Sequence, residues 1–500
     1  MNRLTLFSRA ALALALSISA AAPACAQAPR STVVRAQLPD GAAGALGRAV
    51  VDAINSPDDA AIERLLEEKL SAGAQQPRDE MLAVLRGIRT QGGGVTVGES
   101  RVTARGNLIL ELWARRMDAG VEVAVYPDPA DPARLLRIHV NGPRRRGAEF
   151  RPFPAERMDD ARIVQLIETE VRRQADADQF SGVVLVGKGD RVLFQGTYGL
   201  EDPRTDHRIT TRTRFHIASQ GKMFTSIAIA QLVEQGRLSL DDTVGELLPG
   251  QPWTEQARAV TIRQLLSHTG GLGGLFDRPN YPQNHVFRTA TERLAIFASE
   301  PLLFAPGERW SYSNEGFETL GAIIEAKTGM TFNEYILQHV LRRAGMVTAL
   351  PDAPADSLAD RAIPSPHQED DYFGVRPRTT ASRGWNAGGA GGGHVSAEDM
   401  FRFGRAVVGG RLVSRAMVDT LTAVRVSQGG GRLYGYGFEP RQVNGRAVFG
   451  HGGGGPRGVA ICNEMDIFAD GGWTVVVMSN YDAPMCGTIK ESITAMLAAN

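Results

Sequence analysis

Cysteine is nearly absent from this chain, with three residues in 500. That excludes a scaffold built from many disulfides in place of a core. A surplus of charge is absent too: 55 Lys and Arg balance 55 Asp and Glu. Such a chain lacks the basic excess on which binding to nucleic acid or an anionic membrane depends. The apolar run Ala10 to Ala22 is shorter than the ~20 residues a bilayer span requires, and no other segment is both long enough and free of charge. There is no H-E-x-x-H or comparable ligand spacing and no G-x-S-x-G elbow. Neither a metal nor a cofactor is therefore expected, and a hydrolase built on that elbow is excluded.

Glycine, by contrast, is abundant. Its 56 residues make up about 11% of the chain, against roughly 7% in average usage. They are clustered and aperiodic, which rules out collagen-like and repeat architectures. Apolar residues at 43% suffice for packed cores, and the length calls for two or three domains.

The first residues read as an export signal. Arg3 and Arg9 precede the short apolar run, and Ala24-Cys25-Ala26 and Ala26-Gln27-Ala28 supply small-x-small cleavage patterns. Residues 1–26 are expected to be removed, with the mature chain exported to a periplasm; a lipid-modified Cys25 is the minor rival. Cys462 and Cys486 would then remain, and in an oxidising compartment they are either paired or two separate buried thiols.

Residues 27–140 read as a small α+β domain. Helical patterns come first, with Ser56-Pro57 as cap and N1 proline before Ala60 to Leu70, and Arg78 to Ile88 next. After Gly92-Gly93-Gly94 the period changes to two. Val95 to Val102, Leu108 to Trp113, Val121 to Tyr126 and Leu135 to Val140 read as antiparallel strands. This order of elements is similar to the cone-shaped fold of nuclear transport factors and ketosteroid isomerases. Residues 141–158, rich in proline and arginine, read as a linker, with Arg144-Arg145-Arg146 a solvated run.

Residues 159–500 form the larger unit. A helix to about Arg173 leads to a hairpin, Gly182 to Val186 and Arg191 to Tyr198 about a Gly189-Asp190 turn. Capping boxes mark later helices at Thr261 with Gln264, Thr331 with Glu334 and Ser396 with Asp399. Strand patterns return at Ala447 to Gly450, Val459 to Ile467 and Trp473 to Ser479, and a helix from about Thr488 closes the chain. The expected class is α/β (α+β), one antiparallel sheet interrupted by an all-helical insertion and flanked by helices.

Ser219-Gln220-Gly221-Lys222 is an S-x-x-K heading a segment apolar on nearly all sides as far as Val233. Positions three apart share a helix face, so the Lys222 amine lies near the Ser219 hydroxyl. A serine needs a base, and a desolvated lysine can supply one. The helix N-terminus offers N–H groups to a developing oxyanion. Trp310-Ser311-Tyr312-Ser313-Asn314 adds a Y-x-N before another apolar helix, and His451-Gly452-Gly453-Gly454-Gly455 follows a strand.

With these three motifs the chain resembles the serine hydrolases related to class C β-lactamases and penicillin-binding DD-peptidases. The resemblance covers about Phe180 to Ala499. It includes Phe215-His216-Ile217-Ala218-Ser219, Leu265-Leu266-Ser267-His268-Thr269-Gly270-Gly271-Leu272, Phe304-Ala305-Pro306-Gly307 and Ala390-Gly391-Gly392-Gly393. It implies a β-lactamase/transpeptidase-like sheet with Ser219 as nucleophile. Lys222 and Tyr312 would share the proton transfers in an order left open, and Asn314 would hydrogen-bond the substrate's amide or acyl side chain. His451 and Gly453 would stand in the K-T-G position, and the N–H groups of Ser219 and Gly454 would form the oxyanion hole. His268 is expected to brace its loop, and His394 to belong to a loop floor.

One departure matters. His451 and Gly452 replace the lysine and hydroxyl residue that help hold a β-lactam carboxylate. A largely neutral histidine grips a carboxylate less well, so an ester, amide or peptide substrate is expected, with weak or no β-lactam hydrolysis. The alternatives are a non-catalytic protein that binds peptidoglycan or another ligand on the same fold, and a true β-lactamase or DD-peptidase. The partner is a small molecule or peptide in each case, and the oligomeric state is open.

Overall fold

The computed structural model describes residues 33–35, 38–58, 60–103, 106–117, 119–144, 149–273, 287–351, 360–365, 388–429, 431–454 and 460–500. The export signal with Cys25, the Arg145-Arg146 part of the basic run, Val459 and Gly455 lie outside these residues.

In the N-terminal part, helices Ala42–Asn55, Ala61–Lys69 and Arg78–Gly92 precede an antiparallel meander. Its strands are Val95–Val102, Leu108–Ala114, Gly120–Pro127 and Leu135–Arg144. A short strand, Val33–Arg35, which no sequence pattern marked, adds to Val95–Val102 as the fifth. Val50, Ile54, Leu66, Leu85 and Ile88 of the helices share one core with Leu110, Leu112, Val121 and Val123 of the sheet. Two expectations shift here. Ser56 closes the first helix, and the second begins after Ala60, whose amide donates to Asp58 Oδ1. The last strand runs past Val140 to Arg144, where Pro143 pairs with Val121, so pairing continues into the segment read as linker.

The C-terminal part is organised by a seven-stranded antiparallel sheet. Its order is Arg441–Val443, Arg446–Gly450, Cys462–Phe468, Trp473–Ser479, Gly182–Lys188 and Arg191–Tyr198, with Gly453–Gly454 also on Cys462–Phe468. The late strand Trp473–Ser479 thus pairs with the early strand Gly182–Lys188, as one interrupted sheet requires. Both faces are covered, which explains the unbroken apolar runs of these strands. Val184, Val186, Val475 and Val477 face helices Asp160–Asp176 and Met485–Ala498, while Val183, Leu185, Val476 and Met478 face the helical block. Inside that block the helix Gly221–Glu234 is buried from Gly221 to Leu232.

The insertion is not all-helical. Phe215–His216 pairs with His394–Val395, and Val426–Gly429 pairs with Arg432–Tyr434. Pairs of two to four residues carry too little alternation to be read from sequence. The Thr331 capping box forms, and at Thr261 its backbone half does, the Thr261 amide donating to Gln264 Oε1. Ser396 caps its helix, but the Asp399 carboxylate turns instead to the Thr348 amide and hydroxyl. Cys462 and Cys486 are disulfide-bonded, joining a central strand to the last helix. Among the described residues no helix is long and apolar enough to cross a membrane.

Candidate active site

Ser219 sits in a single 3-10 turn, Ala218–Gln220, that runs straight into the buried helix Gly221–Glu234. Ala218 just before it takes φ = 46°, a left-handed conformation that costs an alanine about 1 kcal/mol. The turn is held from both sides. The Ala218 amide donates to His216 Nδ1 at 3.3 Å, and the Ala218 carbonyl accepts from the Gly392 amide at 3.0 Å.

Lys222 lies one turn on and is fully buried. Its ammonium group has three acceptors: Ser219 Oγ at 3.3 Å, Asn314 Oδ1 at 2.7 Å and the Ala390 carbonyl at 2.7 Å. Burial pushes its pKa down to about 7, against the opposing pull of Glu318 and Glu315. Tyr312 donates from its hydroxyl to Ser219 Oγ at 2.7 Å. Its phenol is held above the ordinary value by desolvation, although the residue keeps 39% of its surface accessible at the mouth of the site. Two side chains therefore meet on the Ser219 oxygen, Lys222 from the next turn and Tyr312 from the segment leading into helix Asn314–Thr328, while Asn314 reaches it only through Lys222.

His268 fixes that segment. Its carbonyl accepts from the Ser311 amide at 3.0 Å and its Nδ1 from the Ser313 amide at 3.1 Å, clamping Tyr312 between them. The imidazole lies 4.5 Å from the Tyr312 ring, centroid to centroid. Burial, then the nearby Lys222, keep it neutral well below the usual histidine range. The bracing role expected of His268 is thus visible atom by atom. His394 occupies the short strand paired with Phe215–His216, its ring 5.3 Å from that of His216, and burial takes its pKa to about 3.

His451 is buried, and both its ring nitrogens are engaged, Nε2 with the Tyr434 hydroxyl at 3.0 Å and Nδ1 with the Gly452 carbonyl at 2.5 Å. The same hydroxyl meets His268 Nε2 at 3.1 Å. The proton positions follow from the two ends of this chain. The Ser313 amide can only donate, so the neutral His268 carries its proton on Nε2 and gives it to Tyr434. The Gly452 carbonyl can only accept, so His451 carries its proton on Nδ1 and receives from Tyr434 on Nε2. Neither nitrogen is left to hold a substrate carboxylate. The ring is turned inward, with both nitrogens held within the protein. Nothing in the sequence marks Tyr434, an aromatic set between Leu433 and Gly435, so sequence reading missed this link.

Gly453 pairs with Asn463 and Gly454 with Cys462, which brings this short strand to the Ser219 turn. A Cβ on Gly453 would lie 2.1 Å from the Ile217 carbonyl oxygen and 3.0 Å from the Gln220 amide, so only glycine permits the approach. Gln220, which sequence reading also passed over, bridges the two segments by donating to the His451 carbonyl at 3.2 Å.

A serine oxygen held between an uncharged-capable lysine and a tyrosine, at the end of a helix packed under an antiparallel sheet, defines a serine hydrolase of the acyl-enzyme type. The chain belongs to the Beta-lactamase family, which matches residues 166–495. It is 28% identical over 334 residues to a penicillin-binding protein of Bacillus subtilis strain 168, covering 63% of this chain and 71% of that protein. A penicillin-binding protein from Bacillus halodurans superposes with TM-score 0.56 and 29% identity over 69% of this chain and 99% of its own. A D-stereospecific amidohydrolase from Streptomyces sp. superposes with TM-score 0.52 and 25% identity over 65% of this chain and 95% of its own.

Proposed function

We propose that this protein is an exported serine hydrolase that cleaves an ester, amide or peptide through an acyl-Ser219 intermediate, with weak β-lactam turnover at most. The observation that carries this reading is the double contact on Ser219 Oγ, from Lys222 Nζ at 3.3 Å and the Tyr312 hydroxyl at 2.7 Å. A protein that only bound its ligand would need neither.

The contacts also suggest who takes the first proton. In the neutral amine, two N–H groups are drawn to the shorter contacts with acceptor-only partners, Asn314 Oδ1 and the Ala390 carbonyl. The lone pair then faces Ser219 Oγ. Lys222, with its pKa brought to about 7, accepts the serine proton as Oγ attacks the carbonyl carbon. The amides of Ser219 and Gly454 stabilise the oxyanion. As the bond to the leaving group breaks, Tyr312 gives that group its proton and is reprotonated from the Lys222 ammonium. Water then repeats the sequence to release the acid and restore Ser219. Asn314 positions Lys222, and its amide NH2 remains for the substrate.

The inward-turned His451 supports a substrate without a carboxylate anchor, and the relationship to an amidohydrolase supports amides among the candidates. The Cys462–Cys486 disulfide and the N-terminal signal pattern support export to an oxidising compartment. The test is labelling of the mature protein with a fluorophosphonate probe, followed by a panel of p-nitrophenyl esters, D-amino-acid amides and a chromogenic cephalosporin. Labelling lost in Ser219→Ala and ester turnover well above cephalosporin turnover are expected. An unlabelled, folded wild type would overturn the hydrolase reading, and the reverse ranking would overturn the substrate reading.

A further inference from the structure

Helix Asn314–Thr328 buries two carboxylates, Glu315 and Glu318, that the chemistry above does not use. Glu318 is 2% exposed and is paired with Arg293, itself 8% exposed, at 3.1 Å. The same carboxylate accepts two backbone amides, Gly389 at Oε2 (3.1 Å) and Ala390 at Oε1 (3.3 Å). The peptide so held belongs to the glycine-rich segment whose Ala390 carbonyl receives Lys222 Nζ. Thr225, on the Lys222 helix, secures it from the other side by donating to the Gly389 carbonyl at 2.7 Å. The fit needs glycine, since a Cβ on Gly389 would stand 2.0 Å from the Phe317 carbonyl oxygen.

We infer that Glu318 is a positioning residue for Lys222: its carboxylate, balanced by Arg293, orients the Gly389–Ala390 peptide so that the Ala390 carbonyl directs one Nζ hydrogen and leaves the lone pair on Ser219. The inference rests on the serine hydrolase reading above. A chelating carboxylate is suited to this because it binds two adjacent N–H groups at once, and charge-assisted hydrogen bonds are about twice as strong as neutral ones. The arrangement has an electrostatic consequence as well. The groups that act on Lys222 are Ser219 on its own turn, Tyr312, Asn314, Glu315 and Glu318 on the facing segment, and His268 and His451, both held neutral across the cleft. Glu318 is first among the charges that favour the ammonium form. Arg293 offsets it.

The two partners should therefore move the lysine's titration in opposite directions. The experiment is the rate of Ser219 labelling by a fluorophosphonate across pH, in wild type, Glu318→Gln, Arg293→Gln and Arg293→Lys, with circular dichroism to verify folding. In Glu318→Gln the acid limb moves to lower pH by about one unit, and the plateau rate falls at least ~10-fold because Ala390 loses its clamp. In Arg293→Gln the limb moves to higher pH, and in Arg293→Lys it stays in place. Limbs that stay fixed in the folded variants, or that move in the same direction, would overturn the inference, and so would a merely lower rate at every pH. If Glu318→Gln does not fold, the upward shift of Arg293→Gln decides alone. A wild type that shows no Ser219-dependent labelling would sink the hydrolase reading itself, so the two failures are distinguishable.

Discussion

The Tyr434 hydroxyl donates to His451 Nε2 at 3.0 Å while accepting from His268 Nε2 on its other side. This one oxygen ties the loop that clamps Tyr312 to the strand that carries Gly453 and Gly454. All three side chains are buried, so each link stands in a medium where an unmet polar group costs about 1–3 kcal/mol. Tyr434→Phe removes the bridge and leaves two imidazole nitrogens without a partner. A stability loss of about 2 kcal/mol by urea unfolding is expected, together with lower kcat/KM. Unchanged stability would show that the bridge carries no weight.

The pH dependence of ester hydrolysis should have an acid limb near pH 7. Lys222 has its pKa lowered to about 7 by burial, and only the neutral amine can accept the serine proton. Activity therefore falls as pH drops through that value and levels off above it. The same depression gives a linkage of known sign. Between about pH 7 and the lysine's ordinary value the unfolded chain binds the extra proton, so this group makes stability rise with pH across that window. A kcat/KM profile flat from pH 5 to 8 would contradict the assignment of Lys222 as base.

Tyr312→Phe separates acid from base by the leaving group. Its hydroxyl is held protonated, with the pKa above its ordinary value, and it is assigned to deliver that proton. An amide's amine must be protonated to leave, whereas p-nitrophenolate need not be. The substitution should cost amide turnover about 10²–10⁴-fold and p-nitrophenyl ester turnover much less. Equal losses on both would mean that the tyrosine serves the attack step instead.

Gly453→Ala tests the close approach of strand and nucleophile turn. The added methyl meets the Ile217 carbonyl oxygen at 2.1 Å, and the strand has to retreat with Gly454 and its amide. Loss of an oxyanion donor is worth about 10²–10³ in kcat. A fall of that size is expected with the circular dichroism spectrum unchanged, and wild-type turnover would exclude the strand from catalysis.

Cys462 stands opposite Gly454 in the sheet and is bonded to Cys486, 24 residues on. A cross-link closing a loop of this length stabilises by about 3 kcal/mol. Cys462→Ala with Cys486→Ala should lower the urea midpoint accordingly while leaving fluorophosphonate labelling of Ser219 intact. A midpoint equal to that of wild type would show the bond to be dispensable.

Ser219, Lys222, Tyr312 and Asn314 were legible in the sequence because chemistry restricts residue type at short spacings, and one helical turn or one Y-x-N is a local pattern. The sheet was legible too, since Val183 to Val186 and Val475 to Val477 read as apolar runs and burial on both faces demands them. The pairing of Cys462 with Cys486 and the two-residue ladder of Phe215–His216 with His394–Val395 were not, because a contact between distant segments leaves no periodicity in either. His451 shows the difference most clearly. Its place after the strand was set by sequence, but its role turned on which way the ring faced, and that depended on Tyr434, 17 positions earlier. The glycine surplus divides in the same way. The clusters were visible in composition, yet only the packed structure shows that Gly389 and Gly453 are glycines because another backbone lies where their side chains would be. Sequence alone determined which groups were available for the chemistry. The tertiary structure decided their proton positions, their partners and the direction each one points, since those are properties of contacts and not of order along the chain.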